Sequence, residues 1–354
     1  MTAPVDPAAA GKSLDGAPAI CILPRLEGLG GPASFRARLV SGLQARGIPV
    51  VANAQDPACR SILVIGGTRH VMEVVQARRK GIRIVQRLNG MNWIHRRRFT
   101  GVGHFMKSEI NNLLLSTIRR LVADRIVYQS NFARTWWQTV YPGVRLPSTV
   151  IYNGVDLGQF TPDGPHQRPE DHYRVLLVEG HLGGGNEDGL RNGAALVRAL
   201  NNRMDRPVRL MVVGDVPLKL QKDLNGQNPG LIDWAGIVRR DAIPQIDRSA
   251  HLLFSADLNA ACPNSVIEAL ACGLPVVSYA TGSLPELIEG QAGLVVPWGS
   301  NFWKLEPPDI EVLAEAGKKI LTHPLEFRQA ARARAESVFG LDQMVERYLQ
   351  VLLN

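Results

Sequence analysis

The stretch Pro263-Asn-Ser-Val-Ile-Glu-Ala-Leu-Ala-Cys-Gly-Leu-Pro-Val-Val277 decides the fold of this chain. Pro263 suits the start of a helix, Gly273 suits its end, and Pro275 opens the next apolar strand. An apolar run that ends at Phe254 precedes this stretch. The order strand, loop, helix, strand is typical of an α/β domain with a parallel sheet.

The same helix brings polar side chains together at its beginning. Asn264 and Ser265 lie in the first turn, and Glu268 follows one turn later on the same face. The free N–H groups of a helix N-terminus can hold a phosphate, and a carboxylate can accept hydrogen bonds from two sugar hydroxyls. The alternative is a short helix whose Glu268 faces solvent, which is the usual position of a helical glutamate.

Strand and helix patterns alternate along most of the chain. The alternation is interrupted only around residues 153–169, which are rich in Pro and Gly and look like a linker. Two α/β halves in tandem, with the active site in the cleft between them, therefore account for the 354 residues. We expect a disordered leader over 1–18, a first domain over 19–160 and a second over 161–338.

Each half begins with a strand, a glycine-rich loop and a helix. Gly30 and Gly31 stand in the first loop, and Gly183 and Gly184 stand in the second. Such a loop lets a ligand approach the backbone at the carboxyl edge of a parallel sheet, although a tight turn is an equally good interpretation of either loop alone. The presence of both loops favours a two-lobed binding cleft.

The run P-N-S-V-I-E-A-L-A-C-G-L-P-V-V resembles the donor-binding signature of glycosyltransferase family 4. Further resemblances are spread over residues 19–352, and they are Gly30-Gly31, Arg87-Leu-Asn-Gly90, Ala123–Ser130, Ile151–Asp156, Gly214-Asp215 and Trp234-Ala-Gly236. The resemblance implies two Rossmann-like domains of the GT-B type and a C-terminal helix, 339–354, that returns to the first domain. It also implies a retaining, metal-independent transferase that has a nucleoside diphosphate sugar as co-substrate and needs no other cofactor.

The resemblance also implies roles for individual residues. Glu268 would bind the donor ribose. Apart from the resemblance, His95 lies beside the basic region of the first domain and is a candidate catalytic residue toward an acceptor hydroxyl, although a lone histidine is more often structural. The implied donor-binding residues are His181, Gly183, Gly184, Asn264, Ser265 and Glu268, and Glu268 is also counted as catalytic. The implied acceptor-binding residues are Gly30, Gly31, Arg87 and Asn89.

Two departures from the family pattern concern the donor site. The family has a second glutamate eight positions before the one matched by Glu268, and here that position is Ala260. The family also has an arginine and a lysine that bind the diphosphate, where this chain has His181 and, at about the lysine position, Asn186. Because of these departures, a catalytically weakened relative that binds a nucleotide, a glycan or a partner enzyme is a second hypothesis.

The net charge of +8 is unevenly distributed. Residues 1–160 have a net charge of +13, and residues 161–354 have a net charge of −5. Basic residues are interleaved with Trp93, Phe99, Phe105 and Met106, and these basic residues are Arg78-Arg79-Lys80, Arg96-Arg97-Arg98, Lys107, Arg119-Arg120 and Arg125. The combination suits a surface that lies on anionic lipid; a solvated basic face without a partner is the plain alternative. A nucleic acid is not the expected partner, because no nucleic-acid-binding motif accompanies the charge.

The cysteines indicate a reducing compartment. Cys21, Cys59, Cys262 and Cys272 form no C-x-x-C pair and lie in apolar stretches, which suits buried thiols rather than a disulfide or metal framework. No signal peptide or spanning segment is apparent in the sequence. We therefore expect a cytoplasmic protein that attaches, if at all, to the inner face of a membrane as a peripheral protein.

Overall fold

Strands alternate with helices along the chain and form two six-stranded parallel sheets. The computed structural model describes residues 18–354 except Glu27, Leu29, Gly184 and Asn186. The leader predicted over 1–18 therefore lies outside the described residues, apart from Pro18. The predicted α/β class with two tandem Rossmann-like sheets is confirmed.

The first lobe contains the sheet with the strand order β2-β1-β3-β4-β5-β6. Its strands are β1 (Ala19–Leu23), β2 (Val50–Val51), β3 (Cys59–Ile65), β4 (Arg83–Leu88), β5 (Arg125–Tyr128) and β6 (Ser148–Val150). Its helices are α1 (Gly31–Gln44), α2 (Val71–Arg79), α3 (Val102–Thr117) and α4 (Asn131–Val140). Helices cover both faces of a parallel sheet, so its central strands are largely buried; in β3, every residue except Arg60 is buried.

The second lobe contains the sheet with the strand order β12-β11-β10-β7-β8-β9. Its strands are β7 (Tyr173–His181), β8 (Val208–Asp215), β9 (Ile232–Gly236), β10 (Leu252–Phe254), β11 (Val276–Tyr279) and β12 (Gly293–Val296). Its helices are α5 (Glu187–Asn201), α6 (Leu218–Gln227), α7 (Ile243–Ser249), α8 (Asn264–Ala271), α9 (Leu284–Leu287), α10 (Ile310–Thr322) and α11 (Pro324–Val338). The motif helix α8 thus connects the neighbouring parallel strands β10 and β11.

The last helix, α12 (Leu341–Leu353), returns to the first lobe, as predicted. Its Tyr348 ring packs against Phe35 of α1 with the ring centroids 5.2 Å apart. Gly42 of α1 faces Val345, and a β-carbon at Gly42 would overlap that side chain. The close approach of α1 and α12 therefore requires glycine at this position.

The pattern of apolar residues in the sequence predicts a long helix over His104–Leu121, and the structure differs from this prediction at the C-terminal end. α3 is regular from Val102 to Thr117, and one π-helical turn, Ile118–Val122, follows. This turn directs Arg119 inward, where its Nε donates to the Tyr128 hydroxyl (3.1 Å) and its Nη1 donates to the Tyr141 carbonyl (2.6 Å). The assignment of Arg119 to the basic surface is wrong, because its side chain is buried.

All four cysteines are buried and unbonded to one another, in agreement with the expected thiols. In the described part of the chain, no helix combines the length and the apolar composition that crossing a bilayer would need.

Candidate functional site in the cleft between the lobes

A cleft of about 520 Å³ separates the carboxyl edges of the two sheets. The first lobe contributes the N-terminus of α1 and the segment that follows β4. The second lobe contributes the ends of β7 and β8 and the loop that leads into α8. Ligands of open parallel sheets bind at this edge, so the cleft is the candidate site.

The first turn of α8 lines the cleft with the predicted donor-site residues Asn264 and Ser265. Gly273, at φ +65°, ends the helix as predicted, in a conformation that favours glycine. The Asn264 Oδ1 accepts a hydrogen bond from Asn153 Nδ2 at 2.9 Å. Since Asn153 lies on the segment that connects the lobes, this bond fixes the start of α8 relative to the first lobe.

Glu268 also lines the cleft, one turn further along α8. It is ion-paired with Arg38 of α1, and only 12 % of its side chain is exposed. Burial raises the pKa of Glu268, and the Arg38 guanidinium opposes that shift. The alternative in which Glu268 faces solvent is therefore wrong.

The predicted acceptor-site residues of the first lobe divide into two groups. Gly30 and Gly31 line the cleft, and a β-carbon at Gly31 would lie 3.9 Å from Asn264 Nδ2. Arg87 also borders the cleft, but its side chain is fully buried and stacks on the Phe35 ring at 3.7 Å. Its guanidinium donates to Asn153 Oδ1 (2.7 Å) and to Asn89 Oδ1 (3.3 Å). Arg87 therefore orders other cleft residues.

The predicted catalytic residue His95 lies at the wall of the cleft with a buried side chain. Its Nε2 is 2.7 Å from Glu109 Oε1, and its buried Nδ1 has no hydrogen-bond partner among the described residues. Hydrogen bonds from Arg96 and then from His95 lower the pKa of Glu109 to about 2. The sequence analysis missed Glu109, and a proton-transfer role of His95 stays a prediction.

The loop that follows β7 holds the residues expected near a diphosphate. His181 Nδ1 is 2.9 Å from Asp215 Oδ2, and a β-carbon at Gly183 would lie 2.9 Å from His181 Nε2. The predicted Gly184 and the neighbouring Asn186 lie outside the described residues. The described part of this region thus shows the His181 imidazole held by the Asp215 carboxylate.

A cation from the first lobe reaches this loop. The Arg98 guanidinium is ion-paired with Asp188 of α5, and it is 3.6 Å from a Glu187 carboxylate oxygen. Arg98 Nη1 also donates to the Gly185 carbonyl at 3.5 Å. Sequence reasoning did not find this contact, because the two segments are about 90 residues apart and belong to different lobes.

Residues 173–323 match the family model described as glycosyl transferases group 1. The second lobe is a glycosyltransferase group 1 domain. The chain is similar to the GDP-mannose-dependent alpha-(1-6)-phosphatidylinositol dimannoside mannosyltransferase of Mycobacterium tuberculosis, with 29 % identity over 222 residues. The aligned residues are 60 % of this chain and 53 % of that protein. It is also similar to the 2-deoxystreptamine N-acetyl-D-glucosaminyltransferase of Streptomyces fradiae, with 26 % identity over 133 residues. This alignment covers 36 % of this chain and 30 % of that protein. The chain spans about half the length, or less, of these curated relatives.

Solved structures resemble both lobes together. Sucrose-phosphate synthase from Thermosynechococcus elongatus superposes with a TM-score of 0.70 at 15 % identity, over 95 % of this chain and 98 % of that one. WaaG, a glycosyltransferase involved in lipopolysaccharide biosynthesis, superposes with a TM-score of 0.69 at 16 % identity, over 95 % of this chain and 100 % of that one. At these identities the likeness shows the fold alone, and that fold is GT-B.

The group 1 domain of this chain has four further polar residues in the cleft that were not assigned from the sequence, namely Glu179, Arg240, Asp257 and Asn259. Burial, together with the Asp257 charge, raises the pKa of Glu179 well above its ordinary range. Glu179 could have been noticed in the sequence as the only charged residue of the run Val175–Gly180. Among the described residues, no three His, Cys, Asp or Glu side chains are grouped so that they could hold a metal ion.

Proposed function

We propose that this protein is a retaining glycosyltransferase that moves a sugar from a nucleoside diphosphate sugar to an acceptor held by the first lobe. The observation that supports it most is that Asn264, Ser265 and Glu268 line one cleft of a GT-B fold whose second lobe is a group 1 domain. Glu268 would accept hydrogen bonds from the ribose, and the start of α8 would face the phosphate or the sugar. Catalysis would come from positioning and from stabilisation of the departing diphosphate.

The diphosphate would be neutralised partly by a cation from the opposite lobe. A charge-assisted hydrogen bond contributes about 1.5–3 kcal/mol, so the chain needs a substitute for the two family cations that it lacks. Arg98 of the first lobe contacts Gly185 and Asp188 at this loop. We therefore assign the role of the substitute cation to Arg98. The backbone N–H of Gly183 would add a contact of the kind found in other anion sites, whereas the Gly185 N–H already donates to Glu187 Oε1 at 3.1 Å.

The acceptor would lie against Gly30, Gly31 and the segment after β4 that ends near His95. We include Asn89 and Arg87 in this side of the cleft, with Arg87 acting through its bonds to Asn89 and Asn153. The phosphatidylinositol dimannoside mannosyltransferase bears a lipid acceptor in its name, which supports a lipid-linked acceptor for this chain beside a glycan or a small molecule.

The test uses the full chain and a panel of UDP- and GDP-linked sugars with candidate acceptors. Glu268→Ala is expected to lower donor turnover at least tenfold, about 1.4 kcal/mol in the barrier, while the matched Glu315→Ala, on an exposed helix face, leaves it unchanged. NMR of the product would show retained anomeric configuration. Turnover is expected to persist in excess chelator, because we propose that no metal takes part. Unchanged turnover in Glu268→Ala would show that the site is assigned wrongly.

A second function is favoured by one specific observation, namely that Ala260 occupies a position where the family has a glutamate. The chain would then bind a nucleotide, a glycan or a partner enzyme without turnover. Tight binding of a nucleotide sugar with neither transfer nor hydrolysis, across all acceptors tried, would favour this function over the first.

We also propose that the first lobe lies on an anionic membrane surface, at the cytoplasmic side. The exposed face of α3 is apolar at Val102, Met106, Ile110 and Leu113, which recur at helical spacing, and Phe99 just before the helix is 84 % exposed. Exposed basic residues border this face, and they are Arg96, Arg97, Lys107 and Arg120. An apolar helix face with a basic border suits the interface of an anionic bilayer.

Vesicle sedimentation tests this surface. The protein is expected to bind phosphatidylglycerol vesicles more strongly than phosphatidylcholine vesicles, and Ile110→Glu should abolish that binding. Leu218→Glu is a matched control, because Leu218 is also an exposed aliphatic residue but lies on α6 of the other lobe. Equal loss in both variants would contradict the assignment. Binding to DNA or RNA probes with a steep salt dependence, in place of vesicle binding, would favour a nucleic acid as the partner.

A further inference from the structure

Asn259, in the loop between β10 and α8, has an unusual conformation for its position. Its φ is +61°, in the left-handed region that non-glycine residues rarely adopt. Its side chain is buried at the cleft, with 4 % of the residue exposed, and neither carboxamide atom has a hydrogen-bond partner among the described residues. A strained backbone and an unpaired buried amide both cost free energy. Such costs are typical of ligand sites.

The surrounding backbone prevents Asn259 from relaxing. The Ser283 N–H donates to the Ala260 carbonyl at 2.9 Å. Gly282 adopts φ +59°, and a β-carbon there would lie 2.6 Å from the backbone N and O of Ala260. On the opposite lobe, a β-carbon at Gly90 would lie 3.9 Å from the Asn259 carbonyl oxygen. Asn259 is therefore held between the segment at Gly282 and the opposite lobe at Gly90.

The chemistry of this corner suits neighbouring hydroxyl groups. A carboxamide offers an acceptor oxygen and two N–H donors side by side. Glu179 and Asp257 line the same cleft, and neither side chain has a hydrogen bond to another described residue. Each carboxyl group can accept a hydrogen bond from a hydroxyl, and it can also donate one when it is protonated. A polyhydroxylated ligand would satisfy all three side chains.

We propose that Asn259 is a specificity-determining residue that holds two hydroxyls of the donor sugar, with Glu179 and Asp257 contacting its neighbouring hydroxyls. This inference rests on the proposed function, since it requires that a nucleoside diphosphate sugar enters the cleft. The buried methyl group of Ala260 provides no polar contact, so the polar side chains that this loop offers to the sugar are those of Asn259 and Asp257.

Two variants separate the side chain from the backbone. Asn259→Gly keeps the left-handed conformation accessible and removes the carboxamide. Asn259→Asp keeps the shape and replaces the two donors by an acceptor. Titration calorimetry would measure the Kd of UDP, GDP, UDP-glucose, GDP-mannose and UDP-N-acetylglucosamine for the wild type and both variants, and thermal unfolding would show that both are folded.

We expect Asn259→Gly to change the Kd of the preferred nucleoside diphosphate by less than about twofold relative to the wild type. The same variant should bind the preferred sugar nucleotide roughly 5- to 50-fold more weakly. Asn259→Asp should change the order of preference among the sugars. An equal loss of nucleotide and sugar-nucleotide affinity, or no change in either, would overturn this inference alone. A wild-type protein that binds no nucleoside diphosphate would overturn the proposed function and this inference with it.

Discussion

Arg38 of the first lobe is ion-paired with Glu268 of the second, so a guanidinium holds the carboxylate that is proposed to bind ribose. Arg38 also donates to the Gly154 carbonyl at 3.1 Å, on the segment that joins the lobes. Both side chains are largely buried, with 18 % and 12 % exposed. A ribose that takes both oxygens of Glu268 would compete with Arg38 for Oε1, which links nucleotide binding to an interlobe contact.

Arg38→Ala is expected to tighten the binding of the preferred nucleoside diphosphate about three- to tenfold, because it removes a competitor for Glu268. The same change should lower the Tm by a few degrees, since it leaves a buried carboxylate without its partner. Calorimetry and thermal unfolding measure the two effects. Arg46→Ala is a matched control, because Arg46 pairs with an exposed Asp342 away from the cleft. Weaker nucleotide binding in Arg38→Ala would mean that Arg38 contacts the nucleotide directly.

Arg98→Ala is expected to weaken nucleoside diphosphate binding roughly 10- to 100-fold, as one or two charge-assisted hydrogen bonds are lost and Asp188 is left unpaired. Arg98→Lys should restore part of the affinity, and raised salt should narrow the difference. The neighbouring Arg97→Ala is the control, because Arg97 is exposed and has no ion pair among the described residues. Equal affinities in Arg98→Ala and Arg97→Ala would remove Arg98 from the donor site.

The sequence predicts the regular parts of this molecule well, because they follow local rules. The motif helix α8, the three C-terminal helices and most strands are given by apolar runs and their Gly and Pro boundaries. β2 was missed, since two residues cannot establish a pattern. Arg119 was wrongly assigned to the surface because it lies in the π-helical turn Ile118–Val122, where the helical period changes.

The partners of the site residues could not be predicted in the same way. Arg38 is 230 positions from Glu268, and Arg98 is 90 from Asp188. These pairs depend on how the two lobes face each other, which no local pattern encodes. The strained backbone of Asn259 also depends on Gly282 and Ser283, which reach it from a different strand end.

The pair of His95 and Glu109 gives a prediction about pH. The pKa of Glu109 is lowered to about 2 by Arg96 and His95, so this carboxylate stabilises the fold above about pH 4.5, and the contribution is lost as the pH falls toward 2. After allowance for screening of a partly exposed pair, Glu109→Gln should cost roughly 1 kcal/mol at pH 7. Thermal unfolding of both proteins from pH 7 to pH 3 should show their Tm difference shrinking in acid. A constant difference would mean that the Gln side chain disturbs packing rather than charge.

Glu286 of α9 caps a helix of the opposite lobe and gives the last prediction. Its carboxylate accepts hydrogen bonds from the backbone N–H groups of Asn131 (2.9 Å) and Phe132 (2.8 Å), at the start of α4, and from the Tyr152 hydroxyl (2.8 Å). A helix cap contributes about 0.5–2 kcal/mol, so Glu286→Ala should lower the Tm by about 2–4 °C. Glu289→Ala, which removes only the ion pair of an exposed carboxylate with Arg334, should lower the Tm by less than 1 °C.

Because the Glu286 cap joins the two lobes, Glu286→Ala should also make their unfolding less cooperative, visible as a broader calorimetric transition. A sharp transition at the wild-type Tm would show that the lobes are held together without Glu286.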